Sequence, residues 1–322
     1  MSPSDATTRR RGTFLAEVLA NDRLCAEHGL LRLGVANFPP TRPGQFVQVQ
    51  CCPPDKPDRP HAVDWPDDRP PQLTQPDLVR AEALLRRPFS LAGRRDLGAG
   101  RSELRVIYRV VGSGTGWLEQ TSPGEPVSVL GPLGNAFAIR EAKPAAALVG
   151  GGVGIPPMIY LAEALARAGK DTTAFCGVRA RDLLPLTLTG DVAVSSAGEP
   201  SLCVAEFAAC GIATALASDD GSLGLEGFAP EAFERWLGAR GGSPEELVVY
   251  SCGPEAMMRA VGEACVARGI DCQLALERHM GCGMGTCQSC VVRIRADNEA
   301  GWTYKLVCTD GPVFDARDVL WD

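Results

Sequence analysis

Four cysteines, Cys282, Cys287, Cys290 and Cys308, carry the most specific chemistry in this 322-residue chain. Their spacing, Cys-x4-Cys-x2-Cys followed by a more distant Cys, is the plant-type arrangement for a [2Fe–2S] cluster. Such a cluster moves one electron at a time and does no substrate chemistry, so the expected role is a relay between two other centres. Gly281, Gly283 and Gly285 lack Cβ atoms, which lets the loop wrap tightly and turn backbone N–H groups towards sulfur. A four-cysteine zinc site is the alternative, because zinc also accepts four thiolates. Zinc sites usually pair two short knuckles of two cysteines each, and the second knuckle is missing here.

Three other places have residue types suited to a nucleotide or a flavin. Arg87-Pro88-Phe89-Ser90 joins a guanidinium, able to grip a pyrophosphate in bidentate fashion, to a hydroxyl on a Pro-stiffened strand; it also reads as a plain turn entering a strand. Gly112-Ser113-Gly114-Thr115-Gly116 supplies N–H groups and hydroxyls for a phosphate nest, and equally suits a mobile hairpin loop. Gly150-Gly151-Gly152-Val153-Gly154 follows an apolar strand and opens a helix, the setting in which glycines admit a nucleotide. Its match to the usual Gly-x-Gly-x-x-Gly fingerprint is poor, and a tight strand-to-helix turn is the lesser alternative. Ser251-Cys252-Gly253-Pro254 occupies a second strand-to-helix junction, where Cys252 is either a buried thiol or a wall facing a nicotinamide ring.

The elements that must position these residues fall into three blocks. Residues 13–142 read as an antiparallel β-barrel of about six short strands, among them 44–50, 103–110 and 126–130, divided by Gly and Pro turns. A Pro-rich insertion over 53–86 interrupts it and is expected as a surface loop, with a short helix from Leu78 to Arg86. Residues 143–270 alternate strand and helix: strands at 145–149, 172–176 and 247–250, helices at 156–168 and 254–268. That alternation predicts a doubly wound parallel sheet, with Pro156 and Pro157 in a first helical turn. Residues 271–322 form a small third unit around the cysteines.

Composition bounds the rest. Hydrophobic residues at 45% and charged residues at 22% describe an ordinary globular protein. A net charge of -7 with no basic stripe argues against nucleic acid. The run Arg9-Arg10-Arg11 fits a disordered tail over 1–12, and no apolar stretch follows it, so neither an export signal nor a membrane anchor is expected. Nine of the thirteen cysteines are scattered and read as small buried hydrophobes in a reducing cytoplasm.

In this order, the segments resemble the ferredoxin–NADP reductase superfamily and, within it, the electron-transfer subunits of NAD-dependent dihydroorotate dehydrogenases. The resemblance covers the chain from about residue 13. It is carried by Arg87 to Ser90, Tyr108 to Thr115, Gly131-Pro132-Leu133-Gly134-Asn135, Gly150 to Pro157, Ser218 to Ser222, Cys252 to Glu255, the cysteine loop and Cys308-Thr309-Asp310-Gly311-Pro312-Val313-Phe314. It implies FAD, NAD and a [2Fe–2S] cluster as cofactors. Arg87 would lie at the FAD pyrophosphate, Ser90 near the reactive face of the isoalloxazine, and Gly114 and Thr115 at FAD phosphate. Pro88 and Phe89 belong to the same FAD segment. Gly151, Gly152 and Gly154 would border NAD, with Cys252, Gly253 and Pro254 near the nicotinamide. Cys282, Cys287, Cys290 and Cys308 would bind the cluster.

The implied activity passes electrons from a partner's FMN through the cluster and FAD to NAD+, as (S)-dihydroorotate becomes orotate in pyrimidine (UMP) synthesis. The implied partner is a catalytic, FMN-containing dihydroorotate dehydrogenase subunit, in a heterotetramer of two of each. A diaphorase subunit of a sulfhydrogenase or an NADH–ferredoxin oxidoreductase shares the same motifs. A non-catalytic redox sensor on a lost reductase is the reading from another class. The chain departs from the pattern in its long Pro-rich insertion, in Phe89 where an aliphatic residue or tyrosine is usual, and in the seventeen residues between Cys290 and Cys308.

Overall fold

A computed structural model describes residues 11–54 and 85–321. The expected tail up to residue 10, residues 55–84 of the Pro-rich insertion, and the expected helix up to residue 84 lie outside the described residues. Leu85 and Arg86, where that helix would end, are not helical and lead directly into a strand.

Six strands close an antiparallel barrel: β1 (Gly12–Arg23), β2 (His28–Ala36), β3 (Phe46–Val49), β4 (Arg87–Gly98), β5 (Arg101–Arg109) and β6 (Pro126–Leu133), in the order β1-β2-β5-β4-β3-β6. Inward positions recur every second residue, so Leu31, Leu33 and Val35 of β2 meet Leu104 and Val106 of β5 in one core. Val47 and Val49 of β3 enter that core as well, while Phe46 points the other way, into the core shared with the C-terminal unit. Closure leaves the barrel without free edges. Between β5 and β6, residues Ser113–Glu119 form a short helix, α1.

The second sheet contains β7 (Ala145–Gly151), β8 (Asp171–Val178), β9 (Ala213–Ser218), β10 (Leu225–Glu226), β11 (Leu247–Cys252), β12 (Asp271–Ala275) and β15 (Val313–Asp315), in the order β10-β9-β8-β7-β11-β12-β15. All its pairings are parallel except β12 with β15. Strands buried on both sides read as continuous apolar runs, and β7 and β11 do so. Ala145, Ala147 and Val149 face one core with Phe233 of α4 (Ala229–Ala239) and Val261 of α5 (Glu255–Ala267). Ala146 and Leu148 face the opposite core with Ile155, Met158 and Leu161 of α2 (Ile155–Arg167). A further turn of helix, α3 (Ala205–Ala208), also lies on this second side.

The sequence pattern did not mark β9, β10 or α4. β9 reads Ala-Thr-Ala-Leu-Ala-Ser, poor in β-branched and aromatic residues, and takes its strand form from pairing with β8. The C-terminal segment also contributes more than a separate unit: β12 and β15 extend the nucleotide-type sheet. What remains is a three-stranded sheet of β13 (Val291–Arg295), β14 (Trp302–Leu306) and β16 (Val319–Leu320), ordered β14-β13-β16.

Candidate electron-transfer site

The cysteine loop spans 281–290, immediately before β13. Cys290 and Cys308 meet because β13 and β14 form a hairpin, pairing Val291 with Leu306. The Val307 N–H donates to the Cys290 carbonyl at 3.0 Å. The seventeen-residue gap is thus a hairpin whose two ends carry the ligands. Cys308 sits in a turn fastened by the Asp310 carboxylate, which accepts the Leu306 N–H at 2.7 Å.

Cys282 and Cys287 adjoin within the loop, where the Cys282 N–H donates to the Cys287 sulfur at 3.4 Å, and Cys290 and Cys308 adjoin at the hairpin's open end. Backbone N–H groups of Met284 and Cys287 point at the Cys282 sulfur, at 3.4 and 3.3 Å. Among the described residues no three Cys, His, Asp or Glu side chains are grouped to hold a metal ion. A [2Fe–2S] centre takes two terminal thiolates on each of two irons, and Cys282, Cys287, Cys290 and Cys308 would supply them. Hydrogen bonds from Ser289, then the Cys282 backbone N–H, hold the Cys287 thiol down at about 6. Burial, then the adjoining Cys290 thiol, pushes Cys308 up to about 12. Iron displaces the protons from such thiols on binding. Cys290 and Cys308 are buried, Cys282 is half-buried and Cys287 is exposed, so one edge of the loop faces outward.

The inner edge of the loop rests on the barrel. Gly283 is buried at φ 66°, and a Cβ there would collide with the Gln48 side-chain amide. Gln48 lies on β3 opposite Pro88 of β4, and Phe46 lies opposite Ser90. Residues opposite one another, and those two apart, share a face of the sheet, so Ser90, Pro88, Phe46 and Gln48 lie on the face that receives the loop. The Ser90 and Gln48 side chains are diagonal neighbours, about 7–8 Å apart in such a ladder. Phe89 points the other way and packs beside the barrel core. The ring of Phe89 therefore lies off the Ser90 face, which explains why a large aromatic fits there.

Two adjacent arginines at the start of β4 have different surroundings. Arg86 bonds the Ser128 carbonyl and hydroxyl and the Gln50 side chain, at 3.0, 2.8 and 3.2 Å. Burial, the largest influence on it, lowers its pKa. Arg87 is half-buried, with one guanidinium nitrogen on the Leu85 carbonyl at 2.9 Å. The glycine run over 112–116 is neither a hairpin loop nor an open nest but the first turn of α1. Thr115 Oγ1 accepts from the N–H groups of Val111 and Gly112, at 2.9 and 3.3 Å, so its hydroxyl is committed to the turn. Gly114 and Thr115 are both buried.

In the parallel sheet the strand order reverses between β7 and β11, and ligands of open α/β sheets bind outside the carboxyl ends at such a point. Gly150 and Gly151 end β7 there, and Cys252 ends β11. The two ends pack backbone on backbone: a Cβ on Gly154 would strike the Cys252 carbonyl, and one on Gly253, at φ 155°, would meet the Gly151 backbone. Gly152, at φ 51°, has open space where its Cβ would be. Pro254 is exposed and precedes α5. Burial pushes the Cys252 thiol up to about 12, so it remains neutral. Asp220 accepts the Ser222 hydroxyl at 2.6 Å and the Ser222 N–H at 3.0 Å, so its carboxylate fastens its own loop.

The description "Iron-sulfur cluster binding domain of dihydroorotate dehydrogenase B" matches residues 277–320. The chain is 40% identical, over 243 residues, to the "Dihydroorotate dehydrogenase B (NAD(+)), electron transfer subunit" of Bacillus caldolyticus, covering 74% of this chain and 82% of that one. The chain belongs to this family. A second member, from Caldanaerobacter subterraneus subsp. tengcongensis, is 30% identical over 311 residues, 97% of this chain and 100% of its own. As an electron transfer subunit, the chain works with a catalytic partner. Among solved structures, the NADH-dependent reduced ferredoxin–NADP oxidoreductase aligns at TM-score 0.67 and 24% identity, over 96% of this chain and 91% of that one. Phthalate dioxygenase reductase aligns at 0.53 and 18%, over 92% and 77%. Both bear on the fold alone.

Sequence reasoning missed Gln48 and Asn135 as junction residues. Gly131 to Asn135 was legible only as a family segment. Its use emerges from contact: the Asn135 side chain bonds the backbone at Asp310 and Val313 just after Cys308.

Proposed function

We propose that this chain accepts electrons from the FMN of a catalytic dihydroorotate dehydrogenase subunit and delivers them to NAD+, while the partner oxidises (S)-dihydroorotate to orotate for UMP synthesis. When bound, the [2Fe–2S] cluster supplies single-electron transfer, and FAD links it to hydride exchange with NAD+. Cys282, Cys287, Cys290 and Cys308 hold the cluster, with the exposed Cys287 edge turned to the partner. Arg87 grips the FAD pyrophosphate, Ser90 places its hydroxyl at the isoalloxazine, and Pro88 and Phe89 fix the strand that carries both. Gly114 and Thr115 contact FAD phosphate through the backbone. Gly151, Gly152 and Gly154, with Cys252, Gly253 and Pro254, border the nicotinamide nucleotide, where the neutral Cys252 thiol is a wall and not a nucleophile.

One observation carries the reading: Ser90 and the cysteine loop share a face of the β3–β4 pair, so both centres fall within a short electron-transfer distance. The working units are the barrel over 13–142, the nucleotide segment over 143–270 and the cluster segment over 271–322, with β12 and β15 anchoring the last to the sheet. The reading puts the chain in the reducing cytoplasm, which the free state of all thirteen cysteines supports; among the described residues no helix is long and apolar enough to cross a membrane. The test is co-purification with a catalytic FMN subunit. Dihydroorotate-dependent NAD+ reduction by a complex of two of each chain is expected; an inactive mixture that instead turns over ferredoxin overturns the reading.

A further inference from the structure

We propose that Gln48 is a positioning residue for the iron–sulfur centre: its side-chain Nε2–H donates to sulfur of the cluster held by the Cys282 loop and raises the cluster's reduction potential. The inference rests on the cluster reading above and deepens it.

Gln48 is 1% exposed, and its Nε2 has no acceptor among the described residues. Buried amide donors are almost always paired, because an unpaired one loses its water without compensation. The strand neighbours do not supply a side-chain partner, since Gln48 is flanked by Pro88 on β4 and Leu130 on β6. Yet the amide lies against Gly283, the residue after Cys282, with Nε2 the atom nearest to the place a Cβ would occupy. Only glycine at this position lets the amide reach the loop, and φ 66° independently favours glycine there. A polar donor is therefore buried where the β3–β4 pair meets a loop that carries three of the four cysteines.

Thiolate and sulfide are the strong acceptors such a loop offers. Reduction adds negative charge, so a hydrogen bond to sulfur stabilises the reduced state more than the oxidised one and raises the potential. The exposed Cys287 sulfur takes its hydrogen bonds from Ser289 and the Cys282 N–H, within the loop itself, whereas Gln48 reaches the loop from the barrel side.

The test is a spectroelectrochemical titration of the full chain with FAD and cluster bound, comparing wild type with Gln48→Met, which keeps length and apolar volume but has no donor. We expect the cluster potential to fall by a threefold or larger change in the one-electron equilibrium, ~30 mV at 59 mV per decade, with the FAD potential unmoved. An unmoved cluster potential, or a shift in FAD alone, overturns the inference and leaves the cluster reading intact. Should Gln48→Met fail to load its cluster, side-chain 15N-glutamine labelling in a Gln288→Glu background decides the matter. A nitrogen hyperfine coupling to the reduced centre supports it, and its absence overturns it. A wild-type protein lacking the broad long-wavelength absorption of a [2Fe–2S] centre would instead refute the cluster reading itself.

Discussion

Asn135 and Val313 exchange two hydrogen bonds across 178 positions of sequence: Asn135 Nδ2 donates to the Val313 carbonyl at 2.8 Å, and the Val313 N–H donates to Asn135 Oδ1 at 2.9 Å. The same Nδ2 reaches the Asp310 carbonyl at 2.9 Å, and the Asn135 N–H donates to Gly311. One amide thus joins the end of the barrel to the segment that carries Cys308. Val313 is also the first residue of β15, so the same bonds tie the end of the barrel to the strand that pairs with β12.

Replacing Asn135 with Ala removes three of these bonds and strands partly buried backbone groups. We expect a loss of about 2–3 kcal/mol, read as a lower urea midpoint, with faster hydrogen exchange at the Val313 amide. An unchanged midpoint and unchanged exchange would show that water replaces the side chain without cost.

The legible parts of this chain are those whose chemistry is local. The Cys282–Cys290 spacing, the barrel strands and the strand–glycine–helix turn after β7 each declare themselves within a dozen residues. Gln48, by contrast, sits in a strand that alternates ordinarily, and nothing nearby announces that position 283 will pack upon it. The alanine-rich β9 was missed for a related reason, since it is a strand only by virtue of β8 beside it. Thr115 differs again: its hydroxyl turns back to the backbone of Val111 and Gly112, which leaves the backbone of the turn to meet a phosphate. Long-range partners decide Gln48 and β9, whereas a local turn decides Thr115.

Arg86 and Arg87 separate stability from cofactor retention. Arg86→Ala leaves Ser128 and Gln50 without their guanidinium, and should lower the melting temperature of the barrel by several degrees, as a loss of roughly 1–2 kcal/mol implies. Arg87→Ala should leave that melt nearly unchanged while weakening FAD retention tenfold or more, since charge-assisted hydrogen bonds contribute roughly 1.5–3 kcal/mol. Flavin absorbance after gel filtration, beside a thermal melt of the apoprotein, measures both. The reverse pattern would exchange the two assignments.

The junction between β7 and β11 gives a paired test of the nicotinamide site. Gly154→Ala drives a methyl into the Cys252 carbonyl and should both destabilise the fold and abolish NADH binding. Gly152→Ala meets no atom and bears only the strain of φ 51°, about 1 kcal/mol. Its fold should survive, so any weakening of NADH binding measured by titration reports on the nucleotide surface directly. Equal destabilisation by both changes would contradict the close packing of the two strand ends.

Cys308→Ser tests how separable the three centres are. Cys308 is buried beside Cys290 at the open end of the β13–β14 hairpin, so a serine removes one thiolate while leaving the Asp310-fastened turn and the Asn135 bonds in place. The iron content should fall well below two per chain, since a plant-type cluster needs four thiolates. FAD should remain bound, because Arg87 and Ser90 sit on β4 of a barrel that closes on itself. NADH-to-dye activity should stay within about twofold of wild type, a barrier change of roughly 0.4 kcal/mol, because a soluble dye draws electrons from flavin without the cluster. Activity with the catalytic partner should be lost. If FAD departs with the iron, then the cluster loop, through Gly283 on Gln48, is part of what holds the flavin face in shape.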